Sequence, residues 1–205
     1  MHYGVRIPAA VIVLVAVAAM GAYLAAGGGS SNAAAITKTG AVMPPFILKD
    51  CNGKQHSLEQ YKGKVVVLEF CSQHCPYSRG ADPALSALAK TYADKDVVFL
   101  GVDSHAETTP DQIKAYAEAV GKHYPILKDG GSAYADAVGA GQTPEIFVVD
   151  KEGKLAYHGA FDNRSGPDGE ATEHYTADAV EALLANKKIA KQEVKAWGCT
   201  IKRAK

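Results

Sequence analysis

Residues 64–79, KVVVLEFCSQHCPYSR, constrain the fold of this chain more than any other stretch. Val65–Phe70 is largely apolar and β-branched, which is typical of a strand buried on both faces. Cys75-Pro76 follows closely. Proline suits a first helical turn, and Leu85 and Leu88 begin an apolar stripe, so a helix is predicted to open there. The stretch therefore predicts Cys75 at a strand-to-helix junction.

A cysteine at such a junction lies beside backbone N–H groups without helical partners and at the positive end of the helix dipole. This setting favours the thiolate, which is the reacting form of the side chain. The alternative is that Cys75 is a small buried residue at a tight turn, since free cysteine is so often simply buried.

The composition argues against several classes of function. The 205 residues contain 22 basic and 22 acidic side chains, and no basic stripe is visible, so nucleic acid is not an expected partner. Four cysteines are too few for a disulfide scaffold in a domain of this length. Their spacing lacks the paired CxxC pattern of structural zinc sites, which leaves reactive chemistry as the economical use. They are Cys51, Cys71, Cys75 and Cys199.

Residues 1–28 are predicted to be a signal peptide or a transmembrane anchor. Residues 7–26 are uncharged and almost wholly apolar, and about twenty such residues just span a bilayer. This length favours an anchor, while Ala33–Ala35 leaves cleavage open. Either outcome predicts an exported, periplasmic or extracytoplasmic protein in an oxidising compartment. Residues 29–42 are predicted to be a flexible linker, and residues 43–205 the folded domain.

The order of predicted elements indicates a single α/β domain. Parallel strand–helix–strand units followed by an antiparallel hairpin give a mixed central sheet with helices on both faces, which makes three layers. The predicted elements are a hairpin over 46–58, strands over 65–70 and 97–102, helices over 79–92 and 110–120, a short strand or extended segment at 125–127, a helix over 132–138, a hairpin over 145–159, a helix over 176–185, and an extended basic tail.

This order resembles the thioredoxin fold, with Cys75-Pro76 after the first buried strand and Thr143-Pro144 before the terminal hairpin. It is similar, more narrowly, to the redoxin superfamily of alkyl hydroperoxide reductases, thiol-specific antioxidants and TlpA/ResA-like oxidoreductases. An exported peroxiredoxin-like group also ends in a Gly-Cys-x-Ile-Lys tail like that of Gly198–Lys202. The resemblance covers residues 43–202 and rests also on Phe46–Leu48, Asp50, Gly53-Lys54, Lys62–Leu68, Gln142–Asp150, Gly153, Tyr157 and Gly159–Asp162.

The resemblance implies a thiol oxidoreductase without an organic cofactor. Its substrate would be a protein disulfide, a small-molecule disulfide or a peroxide, and an upstream thiol would reduce it. In that fold the residue before a cis-proline faces the nucleophile, so Thr143 and Pro144 are expected opposite Cys75 and would orient the substrate.

The departures from the family pattern concern the second thiol. A CxxC dithiol is absent because Ser78 occupies the second position; its hydroxyl could hydrogen-bond a thiolate but cannot form a disulfide. Cys199 and Cys71 remain as candidates for the resolving cysteine. We favour Cys199, although it could instead be an anchor for the tail beside Trp197. We interpret Cys51 as structural.

The peroxide-activating set of a peroxiredoxin is only partly present. Ser72 occupies the hydroxyl position, but Leu68 replaces a proline and Pro144 stands where an arginine is expected. Arg79 could supply a positive charge, but we interpret it as a solvated helix residue. Efficient peroxide reduction is therefore in doubt.

Two other functions remain open, namely copper binding and non-enzymatic binding of a partner. The spacing of Cys71 and Cys75 resembles that of copper chaperones that share this fold, and two thiolates suit Cu(I), with His74 as a third candidate ligand. Those proteins need a histidine near the proline loop, whereas His105 and His158 are interpreted as surface or strand-end residues. The chain could also be a non-enzymatic binding module with an inert Cys75.

Overall fold

The computed structural model describes Met1 and residues 37–204. Beyond Met1, the predicted signal or anchor segment lies outside the described residues, as does the linker up to residue 36. Among the residues that are described, no helix is long and apolar enough to cross a membrane.

The described chain forms ten strands and four helices. The strands are β1 (Ile47–Asp50), β2 (Gln55–Ser57), β3 (Val65–Cys71), β4 (Val97–Asp103), β5 (Ile126–Lys128), β6 (Gln142–Thr143), β7 (Glu145–Val149), β8 (Leu155–Gly159), β9 (Glu193–Val194) and β10 (Cys199–Thr200). The helices are α1 (Pro76–Thr91), α2 (Pro110–Val120), α3 (Ala133–Val138) and α4 (Tyr175–Leu184).

Eight of these strands form one mixed sheet, in the order β2-β1-β5-β4-β3-β7-β8-β9. The central strands β3, β4 and β5 are parallel, whereas β7 is antiparallel to β3 and β8 is antiparallel to β7. The predicted mixed sheet of a thioredoxin-like α/β domain is confirmed. β6 and β10 pair separately as a small two-stranded sheet.

Helices cover both faces of the sheet because successive side chains of a strand point to opposite sides. Val65 and Val67 of β3 pack in a core with Leu85 of α1 and Val180 of α4. Leu68, from the other face of β3, packs in a second core with residues of α3. β3 is thus buried on both faces along its whole length, as its composition predicts.

Local signals set the helix boundaries. α2 begins with the capping box of Thr109 and Gln112 and ends at Gly121 in the left-handed conformation. α1 begins at Pro76, as the Cys75-Pro76 pattern predicts, and not at residue 79, because Cys75 serves as its N-cap and Pro76 fits the first turn.

Two segments predicted as flexible or extended are paired with the domain. Residues 37–42, at the end of the predicted linker, are fixed by backbone hydrogen bonds such as Thr37 N to Val138 O (3.0 Å) and Gly40 N to Leu155 O (2.7 Å). The tail forms β9 beside β8 and β10 beside β6. The ordered domain therefore begins before residue 43, because the end of α3 and the start of β8 offer backbone partners to residues 37–42, as the edges of β8 and β6 do to the tail.

Gly80 in α1 lies against the loop of residues 163–173. A Cβ at this position would lie 2.0 Å from the carbonyl oxygen of Pro167. Alanine usually stabilises a helix interior over glycine by about 1 kcal/mol, but a backbone oxygen at this distance must move. We expect Gly80→Ala to lower the free energy of unfolding in urea by about 1–3 kcal/mol, the usual cost of overpacking.

Gly166→Ala is the control for this substitution, since it lies in the same loop and its Cβ would meet no atom within 4 Å. It should leave the free energy of unfolding nearly unchanged. A Gly80→Ala protein as stable as the control would show that the loop moves without cost.

Candidate active site

Cys75 lies where the strand-to-helix pattern predicts it. It follows β3, takes an extended conformation and caps α1, and the N–H of Ser78 donates to its Sγ at 3.4 Å. The side chain is only 2% exposed. A thiolate at Cys75 would thus receive a backbone donor at the positive end of a helix, while access to it is narrow.

The loop proline lies opposite this cysteine. The Thr143-Pro144 bond is cis. Cys75 Sγ lies 2.9 Å from the carbonyl oxygen of Thr143, which is itself buried at the end of β6. The structure therefore brings together Cys75, Thr143 and Pro144 from segments far apart in sequence.

Cys199 reaches the same point from the tail. Its Sγ is 2.7 Å from Cys75 Sγ, and β10 holds it there by pairing Cys199 with Thr143 of β6. Burial, a hydrogen bond to Cys75 and the negative charge that Cys75 can carry together raise the pKa of Cys199 to about 11. Cys199 therefore keeps its proton at neutral pH while the two sulfurs are in contact.

Cys71 occupies a different environment. It ends β3 and packs with Ile113 of α2 and Ile126 of β5, with Cys51 at the margin of that cluster. Burial, followed by the nearby Glu69 carboxylate, raises the pKa of Cys71 well above its ordinary value. The structure thus places Cys199, and not Cys71, against Cys75 Sγ.

The hydroxyl groups of Ser72 and Ser78 form hydrogen bonds to the backbone of the turn and not to the sulfur of Cys75. The hydroxyl of Ser78 accepts from the N–H of Ser72 at 3.2 Å, so it is the backbone N–H of Ser78, not its hydroxyl, that contacts the cysteine. The hydroxyl of Ser72 accepts from the N–H of His74 at 3.2 Å. Arg79 is exposed, in keeping with a solvated helix residue.

A cavity of about 60 Å³ opens beside the two cysteines. The ring of His105 lies 4.7 Å from that of His74, centroid to centroid, and both contribute to its wall. The sequence interpretation of His105 as a surface residue was incomplete. The available signal was its position just after β4, because carboxyl ends of parallel strands share one edge of the sheet. The lining residues are Ser72, His74, Cys75, His105, Thr143, Cys199, Thr200 and Ile201.

Glu145 was missed by the sequence analysis. Its buried carboxylate accepts from the N–H groups of Gly141 (2.7 Å) and Gln142 (2.9 Å) and contacts Nε2 of His158 at 2.6 Å. These contacts fix the loop that leads to Thr143. His158 lies near the end of β8, as the strand-end interpretation has it, but it is largely buried rather than a surface residue, because the Glu145 carboxylate satisfies its ring nitrogen.

A network of buried charges includes Glu69 of β3, and the sequence analysis missed this network as well. Lys122 Nζ lies 2.8 Å from Glu69 Oε2 and also contacts Asp82. The hydroxyl of Tyr124 donates to Glu69 at 2.6 Å, and that of Tyr116 donates to Asp82. Burial raises the pKa of Glu69, although Lys122 opposes that shift. The signal was Glu69 itself, a carboxylate inside an otherwise apolar strand.

The copper ligand set is not assembled. Within residues 37–204, no group of three or more His, Cys, Asp or Glu side chains is arranged to hold a metal ion. The candidates Cys71, Cys75 and His74 therefore do not form a three-ligand cluster.

The sequence profile of the AhpC/TSA family matches residues 39–158, which is more than half of the chain and includes Cys75, Thr143 and Pro144. The chain belongs to the AhpC/TSA family. As a member it is a thiol oxidoreductase of the redoxin class. The family match ends before the tail, so Cys199 lies outside it.

This AhpC/TSA protein is similar to relatives of known sequence and structure. It is 30% identical over 145 residues to the thiol-disulfide oxidoreductase ResA of Geobacillus thermodenitrificans (strain NG80-2), which covers 71% of this chain and 81% of ResA. A hypothetical protein from Sinorhizobium meliloti 1021 superposes with a TM-score of 0.76 at 30% identity, covering 82% of this chain and 95% of that one. An uncharacterized conserved protein from Geobacillus kaustophilus gives a TM-score of 0.77 at 29% identity, covering 82% and 94%.

The raised pKa of Cys199 makes its reactivity strongly dependent on pH. We expect iodoacetamide to alkylate Cys199 slowly at neutral pH and faster as the pH rises towards 11, because only the thiolate reacts. Cys75→Ser removes the hydrogen bond and the neighbouring negative charge, so the alkylation profile should move to lower pH. Peptide mass spectrometry at a series of pH values measures this shift. If the pH profile of Cys199 alkylation is the same in Cys75→Ser as in the unmodified protein, the two thiols are not coupled. Cys51→Ser is the control and should leave this profile unchanged.

Proposed function

We propose that this AhpC/TSA protein is an exported thiol–disulfide oxidoreductase in which Cys75 is the nucleophile and Cys199 the resolving cysteine. The observation that carries the proposal is the 2.7 Å separation of the two sulfurs. It is shorter than an ordinary non-bonded contact and approaches the length of a disulfide, about 2.05 Å. The apolar residues 7–26 support export and a membrane anchor.

The cycle balances with these two thiols alone. The thiolate of Cys75 attacks one sulfur of a substrate disulfide, so one S–S bond breaks, a mixed disulfide forms on Cys75, and a thiolate leaves. Cys199 then attacks Cys75 Sγ, its proton passes to the departing second thiolate, and a Cys75–Cys199 disulfide forms. The substrate is reduced and the protein is oxidised; an upstream dithiol, or two molecules of a monothiol, then restores both cysteines and is itself oxidised to a disulfide.

The surroundings of Cys75 suit this chemistry. The N–H of Ser78 stabilises charge on the sulfur, and Thr143-Pro144 presents the carbonyl oxygen of Thr143 beside it. Glu145 holds the loop that carries Thr143. A disulfide is a better substrate than a peroxide here, because Pro144 stands where the peroxide-polarising arginine of a peroxiredoxin is expected.

Disulfide mapping tests the proposal. The reduced full-length protein, free of metal, is treated with one equivalent of a small disulfide or of hydrogen peroxide, and its cysteine pairs are identified by mass spectrometry. We expect a Cys75–Cys199 bond that dithiothreitol reverses, that persists in Cys71→Ser and that disappears in Cys199→Ser. A faster reaction with the disulfide than with peroxide is expected as well.

Two results would contradict the proposal. A Cys71–Cys75 bond would assign the resolving role to Cys71. A Cys75 that stays free, in a protein that binds one Cu(I) tightly, would favour the copper reading.

A further inference from the structure

Residues 198–203 of the tail, here called the strap, run along the edge of β6 beside Cys75. β10 pairs antiparallel with β6, with Cys199 opposite Thr143 and Thr200 opposite Gln142. The N–H of Ile201 then donates to Gly141 O at 2.9 Å, and the N–H of Ala106 donates to Lys202 O at 2.8 Å. The strap is thus bonded along both of its sides.

Side chains hold the strap at both ends. Arg203 donates to Asp136 (2.7 Å) and to the carbonyl oxygen of Ala140 (2.8 Å). Ile201 is buried in the core on the α3 side of the sheet. Just before the strap, the indole N–H of Trp197 donates to Asp162 O at 2.8 Å. These contacts join the strap to several separate segments of the domain.

Gly198 brings the strap closer to β6 than any other residue would allow. Its φ is 140°, and a Cβ at this position would lie 2.1 Å from the carbonyl oxygen of Thr143. No side chain fits between the two backbones. The edge of β6 next to Cys75 is therefore fully occupied by the protein's own tail.

An extended polypeptide binds to a domain most simply by adding a strand to a free edge. The edge nearest Cys75 is not free, since the strap uses its backbone donors and acceptors. Cys75 is 2% exposed, and the cavity beside it holds about 60 Å³. Cys199, Thr200 and Ile201 of the strap form part of the wall of this cavity, so a polypeptide can lie along β6 next to Cys75 only when the strap moves aside.

We propose that the strap sets the substrate class of this site: it admits small-molecule disulfides to Cys75 and excludes disulfides carried by polypeptides. This inference rests on the proposed role of Cys75 as a nucleophile. A polypeptide disulfide reacts only in the fraction of molecules whose strap has left β6, and its apparent rate is reduced by that fraction.

The test uses the full-length Cys199→Ser protein, in which Cys75 attacks once and the mixed disulfide persists. The rate of its formation is measured by intact mass with two probes: bis(2-hydroxyethyl) disulfide, and the disulfide-linked dimer of an unstructured cysteine peptide. In this background Gly198→Ala forces the strap away from Thr143. Gly153→Ala is the control, because the φ of Gly153 is also positive, at 83°, but no atom lies within 4 Å of the added Cβ.

We expect the peptide dimer to react much more slowly than the small disulfide when Gly198 is present. Loss of even one or two strap hydrogen bonds in Gly198→Ala should raise the peptide rate by about tenfold or more. The rate with the small disulfide should change by less than about twofold, since it reaches Cys75 with the strap in place. Gly153→Ala should alter neither rate.

The other outcomes separate the two proposals. Two results would overturn the role of the strap. One is an equal reaction rate of the two probes when Gly198 is present. The other is a change of both rates by the same factor in Gly198→Ala. If neither probe modifies Cys75 in any folded variant, the proposed nucleophile itself is wrong. Should Gly198→Ala fail to fold, Arg203→Ala loosens the strap without adding atoms, and an unchanged peptide rate in that variant would also overturn the inference.

Discussion

Replacing Cys199 with serine should stop the enzyme after the first half of its cycle. In the proposed cycle Cys75 would still attack a disulfide, but no thiol would lie 2.7 Å away to resolve the product, so the mixed disulfide should accumulate. An intramolecular thiol acts at a millimolar effective concentration or above, so with about 10 µM external thiol the resolution of the mixed disulfide should slow by about a hundredfold or more. Steady-state assays with a small disulfide, combined with intact mass, measure both effects.

The matched control for this prediction is Cys71→Ser. Cys71 is buried against α2, and its thiol is not in contact with Cys75 Sγ. Turnover should therefore be nearly unchanged. A large loss of turnover in Cys71→Ser, with little effect of Cys199→Ser, would reverse the assignment of the two cysteines.

Removing the buried ammonium of Lys122 should cause a large loss of stability. Its side chain is 1% exposed and pairs with both Glu69 and Asp82, which are almost as deeply buried. Lys122→Met preserves the length of the side chain but leaves two carboxylates without a cation. We expect the free energy of unfolding to fall by about 3–5 kcal/mol, the usual cost of an uncompensated buried charge. Urea denaturation at neutral pH measures it.

The pH dependence of this variant gives a second readout. Burial already raises the pKa of Glu69, and loss of Lys122 removes the main influence that lowers it. The folded variant should then bind a proton that the unfolded chain releases, so its stability should increase as the pH falls from neutral towards the acidic range. Lys62→Met, which removes an exposed partner of Glu59, should change little. A Lys122→Met protein as stable as this control would contradict the role assigned to the network.

Most of the fold could be predicted because its signals are local. A few consecutive residues are enough to predict the buried strand β3, the start of α1 at Cys75-Pro76 and the capping box of α2. β9 and β10 could not be predicted in this way. Each has two residues, and its conformation is set by the strand edge that it joins rather than by its own composition.

The site was only partly predictable for the same reason. Cys75, Thr143 and Pro144 belong to recognisable segments, whereas the contact between Cys75 and Cys199 spans 124 positions and no local pattern encodes it. The resemblance of the tail was its sole indication. The pairing of Glu145 with His158 escaped notice because a buried ion pair is defined by its partner, and the partner lies on a neighbouring strand.

The long sequence separation of the two active-site sulfurs links redox state to unfolding. A bond between Cys75 and Cys199 would close a loop that runs from the start of α1 to β10 and leaves β1, β2 and β3 outside it. Cross-linking a loop of more than a hundred residues restricts the unfolded chain by about 4–5 kcal/mol. Each turnover would therefore form this cross-link and then break it again. The redox poise of the compartment would then set how well the protein resists heat and proteases, as well as how fast it works.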